Sequence, residues 1–312
     1  MIQNFDLKTQ QKIGNYWSQK TAQKKPSYNW WSCPQVIRHL NRRVCGQEVD
    51  GVGRGLYEKA NTLLNGKKLR LGISVGCGNG LKEMKLIQWG LVEKFICFEL
   101  SQERITQGKK EAKKRALSDA IEFRCEDAFL ASDLQPADLV HWNNSLHHMP
   151  DTFQAVIWSK KMLKSGGLFL MDDYVGPNYI QFTDRSLELA SQVRKGFPQK
   201  YLVHPCSSLE KTVLVDTQCQ RTDRAKVIAK DPSEAADAEN ILPAIDRIFP
   251  QAEVTRTGGI VYFIALPPLY ANFDRENELD NAFLERCLFL DELYTHLYPN
   301  ETLYATAIAI KS

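Results

Sequence analysis

Three glycines at alternate positions, Gly76-Cys77-Gly78-Asn79-Gly80, follow directly on an apolar run built from Leu71, Ile73 and Val75. Glycine is needed where a ligand must approach the backbone closely or where φ is positive. Glu99 closes the next apolar run, Phe95 to Phe98. A carboxylate at a strand's carboxyl end can accept hydrogen bonds from both hydroxyls of a ribose. Glu126-Asp127-Ala128 follows a third run, Ile121 to Cys125. Asn143-Asn144-Ser145-Leu146-His147-His148 follows a fourth, Asp138 to Trp142. His147 and His148 titrate near neutrality and are candidates for a general base. Asp172, Asp173 and Tyr174 leave a fifth run and offer groups that orient an amine or hydroxyl acceptor. Trp30 and Trp31, side by side near the N-terminus, suit either a hydrophobic anchor or an aromatic wall over a substrate.

These groups need elements to hold them. A helix is expected from Leu81, with Leu81, Met84 and Ile87 on one face and Gly90 as its C′ stop. Ser101 can N-cap the next helix, whose inner face is Ile105, Gly108, Ala112 and Ala116. Its outer face, Lys109, Lys110, Lys113, Lys114 and Arg115, reads as a solvated surface. Asp151 with Gln154 forms a capping-box pattern for a helix that ends before Ser165-Gly166-Gly167, and Leu168 to Met171 reads as strand five. Strands alternating with helices predict a mostly parallel, doubly wound sheet. In such a sheet ligands sit outside the carboxyl ends of the strands, so the loops after strands one to four converge on one crevice.

The flanks are less regular. Residues 1–66 read as helical, broken near Pro26 and Cys33-Pro34; Pro34 starts a helix with Val36, Ile37, Leu40 and Val44 on one face and Gly46 as its stop. Beyond Asp172 a helix is expected to run to about Val193, and residues 197–232 look irregular. Ser233 then appears as the cap of a helix toward Phe249, interrupted at Pro243. Glu253 to Arg256 reads as a strand, Gly258-Gly259 as a break, and Ile260 to Leu269 as a strand or a short helix. Leu279, Phe283, Cys287, Leu290, Tyr294 and Leu297 have helical spacing, and Leu303 to Ile310 is a closing strand.

Composition narrows the partners. Forty basic against 37 acidic residues in 312 leave a net charge of +3, too little excess for a nucleic-acid backbone partner. The eight cysteines include no CxxC and no clustered Cys/His pairing, so no zinc site is expected. Asn143 with Asp172 and Asp173 resembles half of a Mg²⁺ site but lacks a carboxylate after strand four, so no metal is expected there either. Cys97 and Cys125 fall in apolar runs and are expected to be buried thiols, which suits a reducing compartment. No apolar run reaches the length of a membrane span, and the polar N-terminus lacks a signal core. The expectation is a soluble cytoplasmic protein, monomeric or homodimeric, with a small-molecule partner and no membrane contact.

The turn is GxGxG, with Leu81 where a dinucleotide fingerprint would place its third glycine and no basic residue inside the turn. That spacing resembles motif I of the class I S-adenosylmethionine-dependent methyltransferases. Glu99 then matches the ribose-binding acid, Asp127 the residue that meets the adenine amino group, and Ala128 the position beside the ring. Ser74 stands where the family often has an acid two residues before the first glycine. Leu146-His147-His148 resembles the segment after strand four in small-molecule methyltransferases. Trp30-Trp31, Pro34, His39-Leu40-Asn41, Tyr174 to Pro177 and Asp231 to Ala235 together resemble a poorly characterised subgroup. The resemblance implies a doubly wound, mostly parallel, seven-stranded Rossmann-like sheet. Around it come a helical extension or lid over residues 1–66, a cofactor core over 67–175, a cap over 176–300 and a closing strand over 301–312.

It also implies S-adenosylmethionine as methyl donor and S-adenosylhomocysteine as product. The cofactor would be held by Gly76, Cys77, Gly78, Asn79, Gly80, Glu99, Leu100, Asp127, Ala128 and Asn143. His147, His148, Asp173 and Tyr174 become the catalytic candidates, and Trp30, Trp31, Asp172, Tyr174 and Tyr179 the acceptor-binding ones. A histidine base slightly favours an oxygen acceptor over nitrogen, carbon or sulfur. Two alternatives stand beside this: an NAD-dependent oxidoreductase, and a non-catalytic cofactor-binding subunit using Ile260 to Leu269 as its interface.

Overall fold

A computed structural model describes residues 5–22, 29–208 and 210–312. The elements run α1 (Leu7–Ala22), α2 (Pro34–Cys45), α3 (Arg54–Leu63), β1 (Leu69–Val75), α4 (Leu81–Gln88), β2 (Val92–Phe98) and α5 (Gln102–Lys114). Then come β3 (Ile121–Arg124), β4 (Ala137–Asn143), α6 (Thr152–Met162), β5 (Leu163–Tyr174), α7 (Asp184–Lys195), α8 (Arg224–Lys230) and α9 (Ile241–Ile248). Last are β6 (Glu253–Gly258), a π-helical segment (Ile260–Ala265), α10 (Glu278–Leu297) and β7 (Tyr304–Ile310). The break expected near Pro26 lies outside the described residues.

Among the described residues the strands form one seven-stranded sheet in the order β3-β2-β1-β4-β5-β7-β6. β1 pairs parallel with β2 (Val75 opposite Phe98) and with β4 (Ser74 opposite His141), and β4 pairs parallel with β5 (Asn143 opposite Asp172). β7 runs antiparallel to both β5 and β6. Strand order therefore reverses between β1 and β4, and the crevice outside their carboxyl ends is the place a ligand binds in such sheets. Ile73, Leu139, Val140, Phe169 and Met171 are fully buried because helices cover both faces, as a parallel sheet requires. One apolar layer gathers Trp142, Phe169 and Tyr174 with α6, α9 and α10. The other gathers Met84, Phe95 and Ile105 with Leu56 of α3.

Local signals mostly act as expected. Ser101 Oγ accepts from Arg104 N, Asp151 accepts from Gln154 N, and Gly46 closes α2 at φ 77°. Four departures stand out. β5 starts at Leu163, before the glycine pair rather than after it. Gly166 N donates to Lys311 O (2.7 Å) and Lys311 N to Gly167 O (2.8 Å), so the chain end beyond β7 extends the pairing. Pro243 lies in the first turn of α9 and interrupts nothing, since a missing N–H there costs no intrahelical bond. Ser233 does not cap that helix; its amide and hydroxyl bond Asp231 Oδ1 instead. Residues 197–232, expected to be irregular, contain α8.

α10 is helical as its spacing indicates, yet its buried face is rotated: Leu284, Cys287 and Leu288 are buried while Leu279 is 77% exposed. The cause is polar. Asp291 accepts from Gly259 N (3.1 Å) and Val261 N (2.6 Å), and Asp280 accepts from Tyr201 Oη (2.5 Å) and Lys200 Nζ (2.7 Å). Gly258 and Gly259 adopt φ 97° and 128° and turn β6 into the π-helical segment. Ile260, Val261, Tyr262, Leu266 and Leu269 are interior, so that stretch is core and not an open interface. Among the described residues no helix is long and apolar enough to cross a membrane.

Candidate active site

The glycine turn is tied to the end of β2. Gly76 N and Cys77 N both donate to Phe98 O, at 2.8 and 3.1 Å. Gly76 and Gly78 have φ 66° and 62°, and a Cβ on Gly76 would lie 2.8 Å from Ser145 Cβ. A side chain there would push the β4 loop away, so glycine keeps two loops in contact. Glu99 is 7% exposed and already oriented: Oε2 accepts from Gly78 N and Oε1 from Ser101 N, both at 2.9 Å, with Arg104 Nη1 at 3.9 Å. Asp127 Oδ1 accepts from Phe129 N (3.0 Å), and Oδ2 from Gln10 Nε2 (3.1 Å).

A cavity of about 410 Å³ opens between these groups, within the size that ligand sites occupy. Gly76, Cys77, Gly78, Asn79, Glu99, Leu100, Asp127, Ala128 and Asn143 all line it; Gly80 does not, serving instead as the N-cap of α4 at φ 69°. His148 is the member of the candidate catalytic set on its wall.

The other candidates are placed behind the wall or away from it. Asp173 is fully buried. Its Oδ2 accepts from Ser145 N (2.9 Å) and Leu146 N (2.8 Å), and its Oδ1 from Tyr174 N (2.8 Å), with His147 Nδ1 at 2.5 Å. Burial works against its charge, but His147 and these amides outweigh burial and hold the carboxyl below its ordinary range. Burial likewise opposes charge on His147, and Asp173 outweighs it and raises that imidazole. His147 is thus a buried brace. His148 packs on it at 4.1 Å between ring centres and is pushed down to about 4, by burial first and by His147 second. It is a neutral imidazole in the cavity wall.

Tyr174 is 2% exposed and its hydroxyl donates to Pro177 O (3.0 Å). Tyr179 sits at φ 54° under the Arg224 guanidinium, away from the cavity. Asp172 and Trp30 line a separate, small cavity with Tyr262, Tyr304 and Thr306. Trp30 packs edge-on against Tyr262 and Tyr304, each at 5.6 Å, as an anchor does; Trp31 is 46% exposed.

Several cavity residues carried no motif. Gln10, Ile13 and Trp17 of α1 form one wall, and α1 is held on α5 by the Ser18–Ser101 hydroxyl contact (2.8 Å). Arg104 stacks over the Trp17 ring at 4.1 Å. Lys82 Nζ donates to Asn143 O (2.9 Å), and burial lowers its amine. Ser74 donates to Glu83 Oε1 (2.8 Å), which His141 Nδ1 also meets at 3.1 Å. The acid absent from the strand end is thus supplied from the first turn of α4, behind the cavity rather than in it.

The sequence model for the family described as a methyltransferase domain matches residues 72–231, just over half of the chain. Over 98% of this chain and 99% of its own, geranyl diphosphate C-methyltransferase from Streptomyces coelicolor A3(2), solved with Mg²⁺, geranyl diphosphate and S-adenosyl-L-homocysteine, superposes at TM-score 0.52 with 14% identity. That likeness is one of fold. The N-methyltransferase NodS from Bradyrhizobium japonicum WM9, in complex with S-adenosyl-L-homocysteine, matches 39% of this chain and 62% of its own at 18% identity and TM-score 0.33. A Clostridium acetobutylicum S-adenosylmethionine-dependent methyltransferase matches 41% and 51%, at 17% identity and TM-score 0.35. This chain therefore spans under two thirds of the length of those two. No curated protein matches it. The family match replaces the NAD alternative for the Gly76–Gly80 turn. The chain belongs to the methyltransferase-domain family, the class I S-adenosylmethionine-dependent methyltransferases.

Proposed function

We propose that the chain methylates a small molecule, with oxygen as the favoured acceptor atom, at the His148 end of the cavity. The observation that carries this is one continuous cavity walled by the glycine turn, Glu99, Asp127 and His148. The residues fit the donor: the turn bares its backbone where a Cβ would intrude, and Glu99 and Asp127 present carboxylates already fixed by backbone amides. Glu99 would accept from the ribose hydroxyls, Asp127 and Ala128 would border the adenine, and Asn79, Lys82 and Asn143 would meet the amino-acid end. When bound, S-adenosylmethionine supplies an electrophilic methyl group on a sulfonium.

The chain's own residues then align and exclude. Holding the acceptor oxygen within about 3–3.5 Å of the methyl carbon, away from water, supplies most of the acceleration such a displacement needs. His148, neutral and with Nδ1 facing Ser233 O (3.2 Å), presents Nε2 to an acceptor hydroxyl and can take its proton as the new bond forms. Asp173 and His147 keep the β4 loop, and so His148, in place.

Calorimetric titration with S-adenosylhomocysteine and with NADH tests this on the wild type and on Glu99→Ala and Asp127→Ala. Saturable binding of S-adenosylhomocysteine alone, weakened about tenfold or more in each variant, is expected; each lost charged hydrogen bond is worth about 1.5–3 kcal/mol. Binding of NADH without S-adenosylhomocysteine would overturn the proposal.

A further inference from the structure

His148, Asp231 and Glu234 converge beside the acceptor end of the cavity, from loops 85 residues apart. One potential ligand atom from each lies within 4.8 Å of the other two. Three features single the cluster out. Asp231 is 2% exposed; its Oδ1 is taken by Ser233 N (2.9 Å) and Ser233 Oγ (2.6 Å), while its Oδ2 is buried with no hydrogen-bond partner. A buried carboxylate oxygen left without a donor is costly, so the site has a reason to take up a positive group. Second, His148 Nδ1 faces the Ser233 carbonyl (3.2 Å) and the Ser233 hydroxyl oxygen (3.1 Å), and that hydroxyl gives its proton to Asp231 Oδ1, so both groups are left to accept. The proton is thereby fixed on Nδ1 and the lone pair on Nε2, the arrangement that orients metal-bound histidines. Third, His148 and Ser233 line the cavity and the Glu234 side chain is 29% exposed, so the cluster adjoins the cavity.

We infer that His148, Asp231 and Glu234 form a divalent-cation site that holds an oxygen of the acceptor. The sequence offered a metal only through Asn143, Asp172 and Asp173, and Asp173 is wholly engaged by backbone amides and His147. One imidazole nitrogen with two carboxylates is a mixed donor set, which favours Mn²⁺, Fe²⁺ or Zn²⁺ over Ca²⁺. Three protein ligands leave coordination positions for the acceptor and water. Glu234 Oε1 lies 3.8 Å from His147 Nε2, and the Lys20 ammonium acts on Glu234 and Asp231 through its charge. A bound cation would occupy His148 Nε2, leaving the role of base to the cation-free site. It would itself lower the pKa of the acceptor hydroxyl, whose proton would leave to water. This role rests on the methyl-transfer proposal; cation binding does not.

The test is titration of the purified full chain with Mn²⁺, following loss of the free-ion electron paramagnetic resonance signal, in the wild type, Asp231→Asn and Glu234→Gln. Zn²⁺ competition and S-adenosylhomocysteine titration are run on the same samples. One Mn²⁺ per chain, displaced by Zn²⁺ and bound at least about tenfold more weakly by both variants, is expected. Asn and Gln keep the shapes of the originals, and unaltered S-adenosylhomocysteine binding would show that both variants are folded. Absence of saturable Mn²⁺ and Zn²⁺ binding, or equal binding by the wild type and both variants, overturns the site. Intact cation binding without S-adenosylhomocysteine binding overturns only the role in methyl transfer.

Discussion

Strand β5 ends in two aspartates that serve different halves of the molecule. Asp173 faces the parallel half and the crevice, where amides of the β4 loop and His147 surround it. Asp172 faces the half built from α2, β7 and the π-helical segment, in a small cavity walled by Trp30, Tyr262 and Tyr304. Alternation along a strand separates the two side chains, and what each side supplies sets their chemistry. Asp173 is held below its ordinary range, whereas burial lifts Asp172 to about 6 against the pull of Lys82. The aromatic side also leaves Trp30 Nε1 and Tyr262 Oη buried without hydrogen-bond partners. The crevice spends Asp173 on fixing a loop, whereas Asp172 is set chiefly by burial in its cavity.

The sharpest break of that contrast is Asp173→Ala. It strands His147 and two loop amides in the interior, and should cost about 3–5 kcal/mol in chemical denaturation, with loss of S-adenosylhomocysteine binding. A cost below about 1 kcal/mol would mean that Asp173 does not organise the loop. Asp172→Asn should do the reverse and stabilise the chain at pH 7 by about 1–2 kcal/mol, since an ionised carboxylate is then no longer buried. Its sign can be checked against pH. The folded chain binds a proton at Asp172 between the ordinary 3.8 and about 6, where the unfolded chain does not. The Asp172 contribution therefore stabilises as pH falls from about 6 toward 4, and Asp172→Asn should remove that rise. A variant whose unfolding profile retained it would place the titration elsewhere. The smallest effect is expected from Gln10→Ala, which removes one hydrogen bond to Asp127. S-adenosylhomocysteine affinity should fall by about 0.5–1.5 kcal/mol with little change in melting temperature.

Much of the crevice was legible because its parts are local. The GxGxG turn, Glu99 at the end of β2 and Asp127 after β3 each follow from residue type and the strand they close, and all three meet in one cavity. What escaped is long-range. Ile13 and Trp17 look like any apolar helix residues until α1 is laid on α5. What surrounds Asp172 is set by Trp30, Tyr262 and Tyr304, which lie far from it in sequence. The buried face of α10 turned because Asp291 caps amides of a segment thirty residues earlier in the chain, which apolar spacing cannot register. Asp231 and Glu234 could be named only as part of a resemblance, since nothing near them in sequence supplies their imidazole.

The position of α1 bears on the timing of turnover. One helix carries Gln10 over the Asp127 end of the crevice and Trp17 edge-on to His148 at the other, at 5.5 Å. It is fastened there by side chains such as Ser18 and Gln10, with no strand pairing. Lifting this single helix would expose both ends at once, so spent donor and methylated product would leave through the same event. Steady-state turnover should then slow in proportion to solvent viscosity, as when a moving cover rather than bond-making limits the rate. Turnover indifferent to viscosity would return the limit to the methyl transfer itself.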